Sequence, residues 1–312
     1  KQTAIVNPHA TFIYITPEKE KITYKRVTEE LPKDAKEIKP HPYGIELGQL
    51  ITMLKYTSAN TLQGFLQKDF SRITPQTAQE ICNKSKLKTS VKPKQLQDKE
   101  IEVLFKSLQE AKIMAPPSNC LSPIGAQLLE KSLMKEIKAD FYATTSRSPA
   151  VYRGMPFIIE VGIAYGGGIE KESQVRLMRF ANRVPLLYQQ GACAITEAVT
   201  ETNWKPYGLQ QSSSNLPSGP AIILVHIASV WVPFTNEAKE AIAHYDEIIK
   251  EIKLALQECG RKLSIYIHKH IRAAEQKEKI SLFEKYIPEL ANALSNLTDN
   301  KKEILQEKLQ NL

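Results

Sequence analysis

The sequence predicts an α+β chain made of several domains, and three observations carry that prediction. A short alternating hairpin pattern opens the chain, and a block of amphipathic helices with short connectors follows. A Val- and Ile-rich block then leads into one very long helix. With 312 residues, 42% of them hydrophobic and 24% charged, the chain is too long for one compact core.

In "TAIVNPHATFIYITPEKEKITYKRV" the alternation predicts strands over 10–15 and 21–26, joined by a Pro-Glu-Lys-Glu turn. A lone hairpin is marginal in water, so these strands are expected to pair with further ones. Pro32, Pro40 and Pro42 break any period in "ELPKDAKEIKPHPYG" and mark a linker over 31–43. Helical spacing then recurs at Leu47, Leu50, Ile51 and Leu54, and again at Leu62, Phe65 and Leu66. Thr74 as N-cap and Pro75 at the first helical position open a third helix, and Ile101, Leu104, Phe105 and Leu108 form one face of a fourth over 98–112. Residues 44–135 therefore read as a helical domain.

From 136 to 235 the runs "PFIIEVGIAYGGG", "VRLMRFANRVPLLY" and "AIILVHIASVWVPF" read as strands, with "GACAITEAVTETNW" as a crossover helix and its exit. Residues 236–279 contain no proline and a single glycine, Gly260. Ile242, Tyr245, Ile249, Ile252, Leu256, Cys259, Leu263, Ile267 and Ile271 recur there by threes and fours. That pattern predicts one amphipathic helix of roughly 60 Å, whose far end must meet something other than its own sheet. A last helical segment is expected to be interrupted at Pro288, with apolar positions at Leu290, Leu294, Leu297, Ile304 and Leu309.

Net charge is +8 and the pI about 9.1, a balance that suits an anionic partner such as nucleic acid without requiring one. Cysteines 82, 120, 193 and 259 form no C-x-x-C pair, so neither a zinc site nor a disulfide frame is legible and a reducing cytosol is the simpler setting. The most apolar stretch, 220–234, is shorter than the roughly 18 residues a membrane span needs, and no membrane partner is expected. The first residues match neither an initiator nor a signal peptide, so the chain is expected to begin partway through a larger protein.

"CNKSKLKTSVKPKQLQDK" carries Lys84, Lys86, Lys88, Lys92 and Lys94 before its first acid, Asp98. Such a run is by default a solvated face; lysines spaced along an exposed loop also suit phosphate contacts, and no base-reading element accompanies them. Gly166 to Gly168 lack a following Lys-Ser or Lys-Thr, so they read as a turn and not a P-loop. His268 and His270 are two apart and point to different helix faces. Glu160, alone among apolar residues, is expected to pair with a nearby cation such as an arginine of the next strand. Structural or interface roles are the default for Arg179, Asn182 and Arg183. In "TNWKPYG", Lys205 sits in a stiff turn; spacing alone leaves it a solvated loop lysine held between structural aromatics.

Five segments in order, "NPHATF", "KPHPYG", "SPAVYRGMPFIIEVGIAYGGG", "RFANRVPLLYQQGA" and "NWKPYG", resemble the B subunits of DNA topoisomerase VI, the ATP-driven half of a type IIB topoisomerase. The resemblance runs through about residue 290. It implies that 1–30 are the tail of a GHKL ATPase domain and 44–135 a helix-two-turn-helix domain with its lead-out. Residues 136–235 would be the sheet and crossover helix of a transducer with a ribosomal-protein-like fold and a left-handed crossover, and 236–312 an exit helix and C-terminal helices that contact the A subunit.

In the resembling family the lysine matched by Lys205 is a switch lysine that reaches the γ-phosphate of ATP in the adjoining GHKL domain; Trp204 and Tyr207 themselves read as wedges that hold the loop against the sheet, without chemistry of their own. The implied activity is ATP-dependent duplex passage that relaxes supercoils and decatenates DNA. ATP and Mg2+ would act in the intact A2B2 enzyme and neither is held by this chain alone. Implied partners are the topoisomerase VI A subunit through the C-terminal helices, double-stranded DNA, and a second B subunit through the GHKL domain when ATP is bound. The setting would be cytoplasmic for an archaeal-type protein, or nuclear if eukaryotic. The family's ATP-site motifs lie upstream of residue 1 and its DNA-cleaving tyrosine belongs to the A subunit, so this chain alone is expected to be inactive. The alternatives are a non-catalytic B-like scaffold that binds an A-type partner or DNA without using ATP, and a stand-alone DNA-bending module.

Overall fold

The computed structural model describes residues 1–34, 36, 38–114, 117, 119–171, 173–212, 215–297 and 302–310. Parts of the expected linker (35 and 37) and of the C-terminal segment (298–301 and 311–312) lie outside the described residues. The chain divides into two compact units, Lys1–Leu263 and Ser264–Leu312.

The first unit opens with a helix the sequence pattern did not predict, α1 (Gln2–Val6), whose Ala4, Ile5 and Val6 are buried. Strands β1 (Phe12–Ile15) and β2 (Lys21–Tyr24) pair antiparallel as a two-stranded sheet. No third strand joins them among the described residues, and Ile13, Tyr14 and Ile15 stay more than half exposed.

A four-helix bundle follows, of α2 (Leu47–Tyr56), α3 (Leu62–Asp69), α4 (Pro75–Lys84) and α5 (Asp98–Glu110). Local chemistry sets its boundaries. The hydroxyl of Thr61 caps α3, that of Thr74 caps α4 ahead of Pro75, and Gln97 with Glu100 forms a capping box on α5. Leu50, Leu54, Leu62, Phe65, Leu66, Ile81, Leu104 and Leu108 make its core, while Ile51 faces outward.

The last helix of the 44–135 block, α6 (Ala126–Glu136), packs on a sheet instead of on the bundle. That sheet contains β3 (Phe141–Ser146), β4 (Ala150–Tyr152), β5 (Met155–Tyr165), β6 (Arg176–Ala181), β7 (Val184–Pro185) and β8 (Ala221–Ser229), ordered β3-β5-β8-β6-β7 with β4 on β5. β5 runs antiparallel to both β3 and β8, and β6 runs parallel to β8. Helix α7 (Ala194–Glu201) lies in the connection between these parallel strands, which is the crossover the sequence predicts.

Strand alternation assigns the two faces. Ala164, Met178, Phe180 and Leu224 meet Leu129 and Leu133 of α6 together with Ile5 and Val6 of α1. Gly162 lets Leu133 approach so closely that a methyl group there would lie 2.5 Å from its Cδ1. The odd-numbered face is covered by the part of α8 (Asp246–Leu297) that lies in the first unit: Thr145 donates to Glu258 at 2.6 Å, Cys259 donates to the Val161 carbonyl at 3.7 Å, and Arg147 pairs with Glu251 at 3.1 Å. Cys82, Cys120, Cys193 and Cys259 are all free and buried.

Two expectations about the long helix are corrected. It begins at Asp246 and not at 236, because Asn236 accepts the Glu240 N–H and Lys239 takes a left-handed φ of 57°. This turn folds Ile242 back into a bridge with Phe234. It also continues through Pro288 instead of breaking there. A proline removes one helical N–H, and near it Ile287 and Ala291 are buried. In the second unit α9 (Lys302–Gln310) follows, and Ile265, Ile271, Ile280, Leu282, Phe283 and Leu297 are exposed.

Candidate functional site

Lys205 opens a single 3-10 turn, Lys205–Tyr207, directly after α7. Trp204 anchors it: the indole is fully buried and its Nε1 donates to the Val199 carbonyl at 2.8 Å. Tyr207 lies edge-on to that indole, centroids 6.0 Å apart. Gly208 closes the turn at φ 85°, a left-handed geometry that a side chain would strain. Gln211 clips the turn to its surroundings: its Oε1 accepts the Trp204 N–H at 3.2 Å, and its Nε2 donates to the carbonyls of Thr200 (2.8 Å) and Asn215 (3.2 Å). The Lys205 backbone N–H donates to Asn203 Oδ1 at 3.3 Å.

The Lys205 side chain itself is exposed and takes part in no ion pair among the described residues. It borders an open hollow of about 570 Å³ with Gly208, Leu209, Gln210, Gln211, Ser212 and Ser218. Ser218 bridges to both Gln210 and Gln174, and Gln174 lines a second cavity with Lys1, Lys138 and Arg176. Lys1 and the Lys205 turn thus share one end of the sheet. They differ in face: α1 packs with α6, and Tyr207 packs against α8. The site is a stiff, well-anchored turn that presents an exposed ammonium with no ion-pair partner among the described residues, suited to a point contact with an anion.

The lysine run occupies the connection between α4 and α5. Backbone bonds from Leu62 N–H to Val91 (2.7 Å) and from Gln63 N–H to Thr89 (3.1 Å) tie it to α3. Lys86, Lys88, Lys92 and Lys94 are exposed, whereas Lys84 pairs with Glu110 at 2.6 Å.

Glu160 does not pair with an arginine of the next strand. Register places it opposite His226, whose Nδ1 lies 2.8 Å from its Oε2, and its oxygens also accept the N–H groups of Ile124 (2.8 Å) and Gly125 (2.6 Å) at the entry to α6. His226 Nε2 accepts the Arg183 N–H at 3.0 Å, so the imidazole proton sits on Nδ1, facing the carboxylate. The arginines serve carbonyls: Arg179 donates to Tyr188, and Arg183 to Val6, Ser122 and Pro123. Sequence reasoning missed His226; the available signal was one lone polar residue in each of two apolar strands. Gly166 and Gly167 form a turn in which Asp140 accepts the Gly167 N–H at 2.6 Å. His268 and His270 are exposed on α8, the latter against Tyr266.

These features define an α+β chain whose sheet module is covered on one face by a long helix and presents a lysine beside that helix. Residues 116–279, just over half of the chain, match the family described as topoisomerase VI B subunit, transducer. The chain belongs to that family. It is 49% identical over 296 residues to the B subunit of type 2 DNA topoisomerase 6 from Methanococcoides burtonii, covering 95% of this chain and 48% of the relative. It is 47% identical to that of Methanosarcina barkeri, covering 96% and 48%, and 42% identical to that of Archaeoglobus fulgidus, covering 96% and 50%. The chain therefore spans about half the length of the curated relatives it matches. Among solved structures, the 43K ATPase domain of Thermus thermophilus gyrase B has a TM-score of 0.26 at 16% identity, covering 61% of this chain and 50% of that one. A likeness at that level carries no weight for the fold.

Proposed function

We propose that this chain is the coupling portion of the B subunit of an ATP-dependent type IIB topoisomerase, converting nucleotide state into movement of the DNA gate. Within it, residues 1–30 complete a GHKL ATPase domain and the bundle of α2–α5 acts as a helix-two-turn-helix domain. Residues 136–235 form the transducer proper, and the C-terminal helices after Leu263 dock the A subunit. ATP with Mg2+ is bound by the adjoining ATPase domain, which also pairs two B subunits. The exposed lysines of the α4–α5 connection contact phosphates of double-stranded DNA.

The observation that carries the reading is the exposed ammonium of Lys205 on its anchored turn, which takes part in no ion pair among the described residues. An ammonium about 4 Å from a phosphate charge gains about 4 kcal/mol at an effective dielectric of about 20. Loss of that contact on hydrolysis shifts a two-state domain equilibrium by roughly a thousandfold, enough to reset the angle between two domains. The test is Lys205→Ala in the full-length B subunit, assembled with its A-type partner. ATP-dependent dimerisation is expected to persist while supercoil relaxation falls at least tenfold. Relaxation at the wild-type rate rejects the switch role.

A further inference from the structure

Gly260 is the sole glycine in the 52 residues of α8, and it is buried. Glycine weakens a helix interior relative to alanine, so a glycine there needs a reason. The structure supplies one: a methyl group at this position would lie 2.5 Å from Tyr207 Cδ2, 2.7 Å from Cγ and 2.8 Å from Cε2. All three contacts are with one aromatic ring, a rigid group and not the end of a flexible chain. That ring is two residues from Lys205, in the same turn, and its other side meets Trp204 edge-on.

Other anchors of the turn lead back to α7, through Trp204 to Val199 and through Gln211 to Thr200, and onward to Asn215 and Ser218. Among the described residues an ion pair joins α7 to α8, Glu201 to Lys253 at 2.5 Å, and being partly solvent-exposed it contributes little rigidity. We infer that Gly260 is the seat on which the Lys205 turn rests, and that the Tyr207–Gly260 contact is the positioning element that passes displacement of Lys205 to α8. This deepens the reading of Lys205 and rests on it. Ring and backbone are both stiff and in van der Waals contact, so a shift of the turn along α8 must carry the helix with it or break the contact. Alanine at 260 would be a good helix former and would still lift the ring off its seat.

The experiment uses the full-length B subunit, assembled with its A-type partner and carrying Gly260→Ala, Tyr207→Ala, both together, or Lys205→Ala. The readouts are strand-passage events per ATP hydrolysed and ATP-dependent dimerisation. Gly260→Ala is expected to lower passage per ATP at least tenfold with dimerisation intact. In the Tyr207→Ala background, adding Gly260→Ala is expected to change the ratio less than twofold, because the methyl no longer meets a ring. A wild-type ratio for Gly260→Ala, or an equal drop in both backgrounds, overturns the seat. Should Gly260→Ala alone fail to fold, folding of the double variant supports the contact, and misfolding of both overturns it. Wild-type relaxation by Lys205→Ala sinks the switch reading; impaired Lys205→Ala with normal Gly260→Ala sinks the seat alone.

Discussion

Replacing Glu160 by alanine removes the centre of the buried polar cluster that joins β5, β8 and the entry to α6. Glu160 and His226 are both fully buried, so bulk water does not reach the lost bonds. Three donors lose their acceptor: His226 Nδ1 at 2.8 Å and the N–H groups of Ile124 at 2.8 Å and Gly125 at 2.6 Å. Breaking a buried charged cluster from one side costs about 3–5 kcal/mol. At about 2–4 °C per kcal/mol for a unit of this size, the melting temperature should fall by roughly 6–20 °C. Thermal unfolding followed by circular dichroism measures it, and a loss below about 1 kcal/mol would refute the reasoning.

Acid titration gives a second check on the same residue. Burial pushes the Glu160 carboxyl up, but the hydrogen bonds from His226, Ile124 and Gly125 outweigh it and hold the group below its ordinary value of 4.5. A carboxyl depressed in the folded state contributes stability that is complete above its unfolded value and is lost as pH falls through the folded one. The stability gap between wild type and Glu160→Gln should therefore be constant well above pH 4.5 and narrow below it.

Two further outcomes are expected. Alanine at Lys86, Lys88, Lys92 and Lys94 together should flatten the dependence of log affinity for duplex DNA on log salt by about 0.9 per lysine, measured by fluorescence anisotropy in the complete enzyme. An unchanged slope would remove this loop from the DNA path; Lys84→Ala should change it less, since Lys84 already pairs with Glu110. Leu104→Ala empties a fully buried site in the bundle and should cost about 2–5 kcal/mol in chemical denaturation, and a cost under about 1 would mean the bundle is not packed around that side chain.

What the sequence made legible was what short-range chemistry decides. Thr74 with Pro75 marked the start of α4, helical periodicity marked the apolar residues of α2, α3 and α5, and apolar runs marked β5 and β8. The Trp-Lys-Pro-Tyr-Gly turn was equally plain, because an aromatic anchor, a proline and a glycine closing at positive φ act within seven residues. Long-range pairing hid the rest. "FYATTS" gives little apolar alternation, yet it forms β3, because Thr144 bonds to the Ala126 carbonyl and Glu130 on one face and Thr145 to Glu258 on the other. Glu160 found His226 only through strand register. The apolar period at Ile242 and Tyr245 continued the helical pattern, but the Asn236 turn overrode it. Gly260 looked like a blemish in a helix until Tyr207 was placed over it.

The concealed thiols have a practical consequence for following motion. Burial pushes the Cys82 and Cys120 thiols above their ordinary range and that of Cys259 up to about 12, so few thiolates form at neutral pH. A maleimide dye offered to the native chain should find these sulfurs slow to react. One cysteine engineered at exposed Gln210, on the rim beside Lys205, could then be labelled selectively without first stripping out the natural ones.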